Sequence, residues 1–552
     1  MTENSEGISL QREHWIDKLT TDLINNWPNI TDFNCNCGIS VSGRQHVGRL
    51  RGEIVLTNAV VNELKDRGYS ATHSLILYTA DPWKGKTAQL NAFNDPKKSR
   101  KYIDWRLVDV PDPTGETSSW INHFWKDFGN PLPKFGREIQ IFRTHEFYQT
   151  DKMKKAIIEL INEKENIRNI LNKYRKEKPF PEDWIPFNPL CTHCNRIGRT
   201  KALEVDLEKY RVRYYCNACK NEDWSDMRLG KLTWRLEWLA IWYVLNIHFE
   251  PYGKDHATPG GSRDSCIEVL ETILQHRGPY GFWNEWVGYS EGRTDYGDMT
   301  SSGFIGFTPT EWLKYADEEV LKYMYLKVPP KRRIVLGLDK IPNYVSDYDK
   351  AQRIYFGVES FDDDSELQAI RRSYEITYYN QVPQFQGFQL DYSHAIILAQ
   401  LVSANKEGTI NAIHKLLATE ILTKSPSKDI EKYIHRRLTQ ARNWVKNHAP
   451  AHLKINIPDQ IPRDVLLEVD KESRTLILEL AAILNSIKWT EEEVKQTMIS
   501  LQEKRNLSRR NMSQFFKTLY MIFLGTPRGP RFAPFIVALD KDWVIQRLKG
   551  VE

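Results

Sequence analysis

The sequence predicts an α/β domain built on a parallel sheet, interrupted by a small cysteine-rich module and followed by an α-helical domain. Short apolar strands alternate with amphipathic helices at the start of the chain, a pattern typical of a parallel sheet. Two close pairs of cysteines lie between residues 191 and 219. From residue 365 onward strands become scarce and long amphipathic segments follow one another, which indicates a helical domain.

The length and composition indicate a multidomain cytoplasmic protein. The chain has 552 residues with 41% hydrophobic content, enough for three or four units at roughly 100–200 residues each. Charged residues make up 27%, no apolar run reaches the roughly 20 residues that a membrane span needs, and the N-terminus lacks a signal-peptide core. We therefore expect no membrane partner. The formal net charge of +5 neither supports nor excludes nucleic-acid binding.

The first part of the chain contains the elements of the predicted sheet. Strands are predicted at 33–40, 72–79 and 138–144. Helices are predicted at 8–28, 49–62 and 151–178. The mixed charges of the last helix favour a solvated surface over a nucleic-acid-binding face.

A small-residue turn, GISVSGRQHVGR at 38–49, follows the first strand and precedes a helix. Glycines let the backbone approach a phosphate closely, and the helix N-terminus favours its negative charge. His46, near the start of this helix, could donate a hydrogen bond to a bridging phosphate oxygen. The alternative is an ordinary helix cap with a surface histidine.

A second polar segment, EPYGKDHATPGGS at 250–262, combines charged residues with a glycine pair just before a helical run. So many residues capable of catalysis beside flexible backbone favour a binding site over a plain loop.

The cysteine pairs have the spacing C-x₂-C, a gap of 21 residues, and C-x₂-C. Four thiolates at this spacing predict a closed structural zinc site formed by Cys191, Cys194, Cys216 and Cys219. His193 is not expected to be a ligand because the thiolates already fill the tetrahedron. A redox disulfide is the alternative. The other cysteines, Cys35, Cys37 and Cys266, are expected to be small buried hydrophobes.

These segments resemble one family of enzymes. His46-Val47-Gly48-Arg49 resembles the His-x-Gly-x signature of class I aminoacyl-tRNA synthetases, and GKDHATPGGS is similar to a segment of class I lysyl-tRNA synthetases. Further family-like segments are WRLEW at 234–238, IYFG at 354–357, ARNW at 441–444 and the tail at 524–548. The resemblance extends over essentially the full chain.

The resemblance implies a Rossmann-type catalytic domain with a zinc-binding insertion and an all-α domain of the anticodon-binding type. Lysine would attack the α-phosphate of ATP with help from Mg²⁺, and the adenylate would pass the amino acid to tRNA. The implied segments are two catalytic halves at 1–185 and 226–305, the zinc insertion at 186–225, a connecting domain at 306–385 and the helical domain at 386–552. We expect a monomer.

The resemblance also implies roles for individual residues. His46 and Gly48 would contact the triphosphate. The adenosine would be bound by Gly253, Asp255, His256, Gly260 and Gly261. The amino acid would be bound by Gly38, Ser40, Trp234, His256 and Asn284, the last standing where the family typically has a tyrosine. Glu237 is a candidate partner for a substrate ammonium, or else a helix-surface acid paired with Arg235 or a neighbour.

The second class I signature, a Lys-Met-Ser-type loop, is altered. It reads Asp298-Met299-Thr300-Ser301-Ser302-Gly303. We assign catalytic roles to Met299, Thr300, Ser301 and Ser302, but an acid replaces the first lysine. Losing one transition-state donor costs about 10²–10³-fold, so weakened ATP activation is expected. Arg44 or Arg293 could restore the missing charge, and we include Arg44 among the catalytic candidates.

Three functions fit this sequence. The first is a lysine–tRNA ligase. The second is a paralogue that activates lysine or a related amino acid for a different acceptor, and the third is a catalytically weak tRNA-binding protein. The tail offers Arg528, Arg531 and Trp543 for stacking on RNA bases, whereas Phe532 and Phe535 are expected to pack in the core.

Overall fold

The computed structural model describes residues 14–384 and 388–551. The chain forms two compact units. The first comprises the residues up to Trp312, Asp317–Gly337 and Ala351–Pro383, and the second comprises Leu313–Ala316, Leu338–Lys350 and the chain from Gln384 onward. Residues 8–13 of the first predicted helix lie outside the described residues, and the rest of it is helical over Trp15–Asn26.

The predicted parallel sheet is confirmed in the first unit. Its strands are β1 (Asp32–Ile39), β2 (Ser70–Leu77) and β3 (Ile139–Arg143), paired in the order β1-β2-β3. Both pairings are parallel. β1 and β2 are largely buried, as expected for strands covered on both faces.

The sheet continues on the other side of β1 with a segment around Phe249, more than 200 residues later in the chain. Phe249 forms parallel bridges with Cys35 of β1 and with Tyr280. The backbone N–H of His248 donates to Asn34 O at 2.9 Å. The strand order therefore reverses between β1 and Phe249, and the segments that follow them emerge at the same carboxyl edge. Such a switch point is where open α/β sheets bind ligands.

The helix predicted at 49–62 is present but irregular. It consists of Gly48–Leu50, a wider π-helical stretch over Arg51–Leu56, and Thr57–Asp66. Buried Arg51 donates to Glu285 O at 3.1 Å and to Pro329 O at 3.0 Å. These bonds fix the wider turn, a feature often found at functional sites.

The charged helix predicted at 151–178 is shorter and divided into two. Asp151–Asn162 and Lys164–Lys173 are separated at Glu163, whose φ and ψ are −94° and 16°. Met153, Ile157 and other apolar residues of the first helix are buried in the core beside the helix Trp234–Val244.

The cysteine-rich module contains an antiparallel sheet of three strands, Thr200–Asp206, Arg211–Cys216 and Glu222–Asp226. The buried cluster around its cysteines is small and consists of Tyr214, Cys191 and Cys216.

The remaining elements of the first unit complete the surroundings of the sheet. A hairpin of Val287–Glu291 and Thr294–Asp298 pairs with Ile334–Leu336, and two short pairs join Tyr252–Gly253 to Trp283–Asn284 and Phe187–Asn188 to Lys231–Leu232. The longer helices are Trp120–Gly129, Ser262–Ile273, Glu318–Leu326 and Asp364–Thr377. Shorter ones are Thr87–Asn91, Pro96–Ser99, Leu132–Phe135, Thr144–Phe147 and Pro309–Trp312.

The second unit is helical, as predicted, with no strand among its described residues. Its helices are Tyr392–Leu401, Lys406–Ala418, Lys428–Asn447, Arg463–Glu468, Lys471–Ser486, Glu491–Lys504, Arg509–Leu524, Phe532–Val537 and Lys541–Lys549, together with the part of Ile341–Tyr355 up to residue 350. Phe532 and Phe535 are buried, whereas Arg528 and Arg531 are exposed. Within the described part of the chain, no helix is long and apolar enough to cross a membrane.

Candidate active site

One cavity of about 440 Å³ lies in the first unit and is lined by residues from both polar segments and from the altered loop. Most residues predicted for the site line it: Gly38, Ser40, His46, Gly48, Trp234, Gly253, Asp255, His256, Asn284, Met299, Thr300, Ser301 and Ser302. Four predicted residues do not: Arg44, Glu237, Gly260 and Gly261. The fold therefore brings the first polar segment together with two segments that follow it by more than 200 residues.

His46 is a buried histidine with a free ring nitrogen. The residue is only 6% exposed, and its Nδ1 atom has no hydrogen-bond partner among the described residues. Burial, together with the nearby charges of Arg49 and Arg44, lowers the pKa of His46 to about 3. The imidazole is therefore neutral at physiological pH, and His46 lines the cavity. This burial excludes the alternative of a surface histidine.

The turn that carries His46 is held on both sides. The backbone N–H of Val47 donates to Phe307 O at 2.9 Å, and its carbonyl accepts from the Tyr325 hydroxyl at 2.9 Å. A Cβ atom on Gly48 would lie 2.8 Å from Nδ1 of His46. Glycine is therefore required here, because any side chain would collide with the imidazole.

Glu250 is a buried acid on the cavity wall and is not among the residues predicted for the site. It is 3% exposed, and its carboxylate accepts hydrogen bonds from Trp238 Nε1 at 2.6 Å, Trp242 Nε1 at 2.8 Å and Asn36 Nδ2 at 2.5 Å. Burial raises the pKa of this carboxyl. All three donors are neutral, and the charge of Arg263 opposes this rise in the pKa of Glu250. The spacing of Trp238 and Trp242, one helical turn apart, was the available sequence signal.

Glu237 does not take the place predicted for it. Its side chain is fully buried, pairs with Lys231 Nζ at 2.7 Å and accepts from the Tyr148 hydroxyl at 3.0 Å. Lys231 also binds Asp81 at 2.5 Å, so one lysine joins two acids. The expected partners, a substrate ammonium or Arg235, are thus replaced by a lysine from a neighbouring strand. Of the two acids, only Asp81 lines the cavity, where it accepts from Ser40 Oγ at 3.0 Å.

The altered loop carries a neutralised acid. Asp298 accepts from Arg333 Nε at 3.1 Å, and Lys254 Nζ lies 3.9 Å from its other oxygen. The repulsion of phosphates expected from Asp298 is therefore reduced by two neighbouring cations. The loop itself closes through paired backbone hydrogen bonds between Thr300 and Ile305, each 3.1 Å long.

Neither proposed replacement for the missing lysine faces the cavity. Arg44 donates to Phe304 O at 2.8 Å and to Gly306 O at 2.6 Å, so it holds the backbone that follows the loop. Arg293 is exposed between the two strands of the hairpin. The predicted phosphate-neutralising role of Arg44 is corrected to one of positioning, because its Nη2 donates to two backbone carbonyls and Arg44 does not line the cavity.

The second polar segment divides between the cavity and the helix behind it. The His256 ring stacks on Trp234, with centroids 5.1 Å apart, and its Nδ1 lies 3.0 Å from Ser262 Oγ. Gly260, with φ of 72°, instead shapes the turn before the helix Ser262–Ile273, and its N–H donates to Asp264 at 2.8 Å. The positions of Gly260 and Gly261 therefore give no support to their predicted contact with adenosine.

Asn284 lines the cavity beside the wider turn. It is 9% exposed, and its Oδ1 would lie 2.6 Å from a Cβ on Gly52. Residue 284 pairs in parallel register with Gly253. The absence of a side chain at Gly52 thus makes the room that the Asn284 amide occupies.

The four cysteines of the module are gathered in one place. Their sulfur atoms all lie within 4.8 Å of one another, with 3.6 Å between Cys191 and Cys219 and 3.7 Å between Cys194 and Cys216. Zinc–sulfur bonds of about 2.3 Å in a tetrahedron place sulfurs about 3.8 Å apart. The arrangement therefore fits a tetrathiolate metal site. As expected, Cys35, Cys37 and Cys266 are buried elsewhere.

Comparison with known proteins identifies the family. The model for class I tRNA synthetases (K) matches residues 13–380, and an anticodon binding domain matches residues 462–551. A lysine–tRNA ligase from Aeropyrum pernix is 41% identical over 97% of both chains. Lysine–tRNA ligases from Pyrococcus horikoshii and Methanosphaera stadtmanae are 30% and 29% identical, each over 97% of this chain and 99% of theirs. The matches extend over both the catalytic and the helical segments, and the chain belongs to the class I lysine–tRNA ligase family.

Proposed function

We propose that this chain activates lysine with ATP and transfers it from the adenylate to tRNA. The observation that carries the proposal is the single cavity, in which the first signature, the second polar segment and the altered loop meet. The family membership supports the same reaction. Activation joins lysine's carboxylate to the α-phosphate and releases pyrophosphate, a step that depends on positioning and charge neutralisation.

His46 and Gly48 fit the phosphate side of this site. His46 lines the cavity, and its neutral imidazole suits hydrogen bonding to the phosphate oxygen on which charge develops. Gly48 lacks the side chain that would collide with this imidazole. Mg²⁺ bound with ATP would supply further charge neutralisation. We assign Gly253, Asp255 and His256 to the adenosine side, because all three line the cavity.

Glu250 fits the ammonium of the amino acid. The Glu250 carboxyl receives hydrogen bonds only from neutral groups, and a close pair with a ligand's ammonium would favour its ionised form against the effect of burial. Trp234, Trp238 and Asn284 also line the cavity and would contact the remainder of the amino acid. This assignment transfers to Glu250 the role that the sequence suggested for Glu237.

The cysteine module is proposed to hold a structural zinc ion. The four sulfurs already have nearly tetrahedral spacing, and the cluster beneath them is too small to stabilise the module alone. The ion would have no open position for substrate. The helical second unit is proposed to bind the anticodon, in line with the match to an anticodon binding domain.

Amino-acid-dependent exchange of pyrophosphate with ATP tests the proposal. The assay is run across the amino acids, with and without tRNA. Lysine is expected to give the highest kcat/KM. Absence of lysine-dependent exchange under both conditions would reject the proposed function.

A further inference from the structure

We propose that Lys86 supplies the positive charge that the altered loop lacks and contacts the departing phosphates of ATP. The proposal rests on the proposed function. Lys86 lies outside both signatures, directly before the helix Thr87–Asn91. Its Nζ donates to Ser302 Oγ at 2.9 Å, and Ser302 lines the cavity. A lysine distant in sequence thus reaches the loop from which the family's lysine is missing.

The backbone of Lys86 is also linked, through Gln89, to the small-residue turn that precedes the first signature. Its N–H donates to Gln89 Oε1 at 2.7 Å, and Gln89 Nε2 donates to Ser42 O at 2.7 Å. Gln89 is fully buried, so this bridge is held firmly. Ser42 lines the cavity as well. Lys86 is therefore linked through Gln89 to the turn before the first signature, and its side chain contacts the altered loop.

Other cations near the cavity are already engaged. Arg49 pairs with Glu53 at 3.0 Å, and Arg333 pairs with Asp298 at 3.1 Å. Lys254 pairs with the carboxylate of Glu285. Lys86, in contrast, makes no ion pair with any described residue, and its side chain is exposed at the cavity's rim with a hydroxyl as its partner. A phosphate could displace or share this neutral contact at little cost.

The chemical step gives this charge its function. A carboxylate oxygen of lysine forms a bond to the α-phosphorus while the bond from that phosphorus to the bridging oxygen breaks. The electron pair leaves with pyrophosphate, so negative charge grows on the β- and γ-phosphates. An ammonium on the loop side would stabilise this charge without transferring a proton. Lys86 would thus act on the transition state more than on the binding of lysine.

Substitution of Lys86 tests the assignment. We expect Lys86→Ala to lower kcat for lysine-dependent exchange by about 10²-fold, with the KM for lysine within twofold of wild type. Lys86→Arg should retain most activity because it keeps the charge. Lys84→Ala is the matched control, since Lys84 is also exposed and lies two residues away. A kcat for Lys86→Ala within twofold of wild type would overturn the proposal.

Ser302→Ala tests the contact itself. If Ser302 acts by holding Lys86, its loss should cost clearly less in the Lys86→Ala background than in wild type. Fully additive losses would overturn the pairing.

Binding of inorganic pyrophosphate separates this proposal from the proposed function. Measured by calorimetry without amino acid, its Kd should rise about tenfold in Lys86→Ala and remain unchanged in Lys84→Ala. An unchanged Kd would overturn the role of Lys86. If Lys86→Ala weakens pyrophosphate binding but the wild type does not activate lysine, the proposed function is refuted and Lys86 is supported as a phosphate ligand.

Discussion

Substitution of Glu250 by glutamine keeps the size of the side chain and removes its negative charge. Two indole N–H groups and one amide converge on this carboxylate, 2.5 to 2.8 Å away, and none carries a charge. A charged ligand is therefore the group most affected by the change. The amide also turns its NH₂ toward one of these donors, which is expected to lower the free energy of unfolding by about 1–3 kcal/mol.

The size of the effect follows from the lost pair. A hydrogen bond between a carboxylate and an ammonium is worth about 1.5–3 kcal/mol, which corresponds to about 10–150-fold in affinity. Because lysine keeps its ammonium throughout activation, the contact is present in the ground state and in the transition state. We therefore expect the KM for lysine to rise by this factor, with a smaller change in kcat.

Pyrophosphate exchange at varied lysine concentration measures both constants, below the melting temperature of the variant. Norleucine, which lacks the side-chain ammonium, and 6-aminohexanoate, which lacks the α-ammonium, serve as competitive inhibitors. One of them should lose affinity in Glu250→Gln and the other should not, which shows the ammonium that Glu250 binds. A KM for lysine within twofold of wild type would refute the role of Glu250.

Three further predictions follow from the site and the module. His46 binds a proton near pH 6.5 when unfolded and near pH 3 when folded, so acid lowers the stability of the folded protein. Relative to His46→Gln, wild type should lose about 1.4 kcal/mol of unfolding free energy between pH 8 and 5.5. A difference in stability between the two proteins that does not change with pH would contradict this. Purified protein should contain about one zinc ion per chain. The zinc should be retained in Cys266→Ser and lost in Cys216→Ser, and equal metal content in both variants would argue against the site. Arg44→Ala should slow exchange about tenfold, because it removes both hydrogen bonds that Nη2 donates and so loosens the loop. An unchanged rate in Arg44→Ala would exclude the positioning role.

The sequence predicts those parts of the fold that depend on local pattern. The alternation of short apolar strands with helices identifies β1, β2 and β3 to within a few residues. The cysteine spacing likewise predicts a cluster that the structure forms. The division of the charged helix at Glu163 was not predicted, because the apolar pattern continues through it.

The sequence predicts which segments form the site, but it predicts less well which charged residues in them are paired. Glu237 and Glu250 both lie in recognisable motifs, and only tertiary structure shows that Lys231 neutralises the first and leaves the second open. Arg333 compensates Asp298 from another strand, and Lys86 reaches Ser302 across 216 residues. Such pairs depend on long-range contacts, for which neither periodicity nor spacing gives a signal.

Charging of tRNA with lysine is the most direct test of the function. Purified chain, ATP, Mg²⁺, radiolabelled lysine and unfractionated tRNA should yield acid-precipitable lysyl-tRNA, in an amount limited by the lysine acceptors present. The signal should disappear when ATP is omitted and fall sharply in Glu250→Gln at low lysine concentration. Formation of lysyl-adenylate with no charged tRNA, or charging with another amino acid in preference to lysine, would contradict the assignment as a lysine–tRNA ligase.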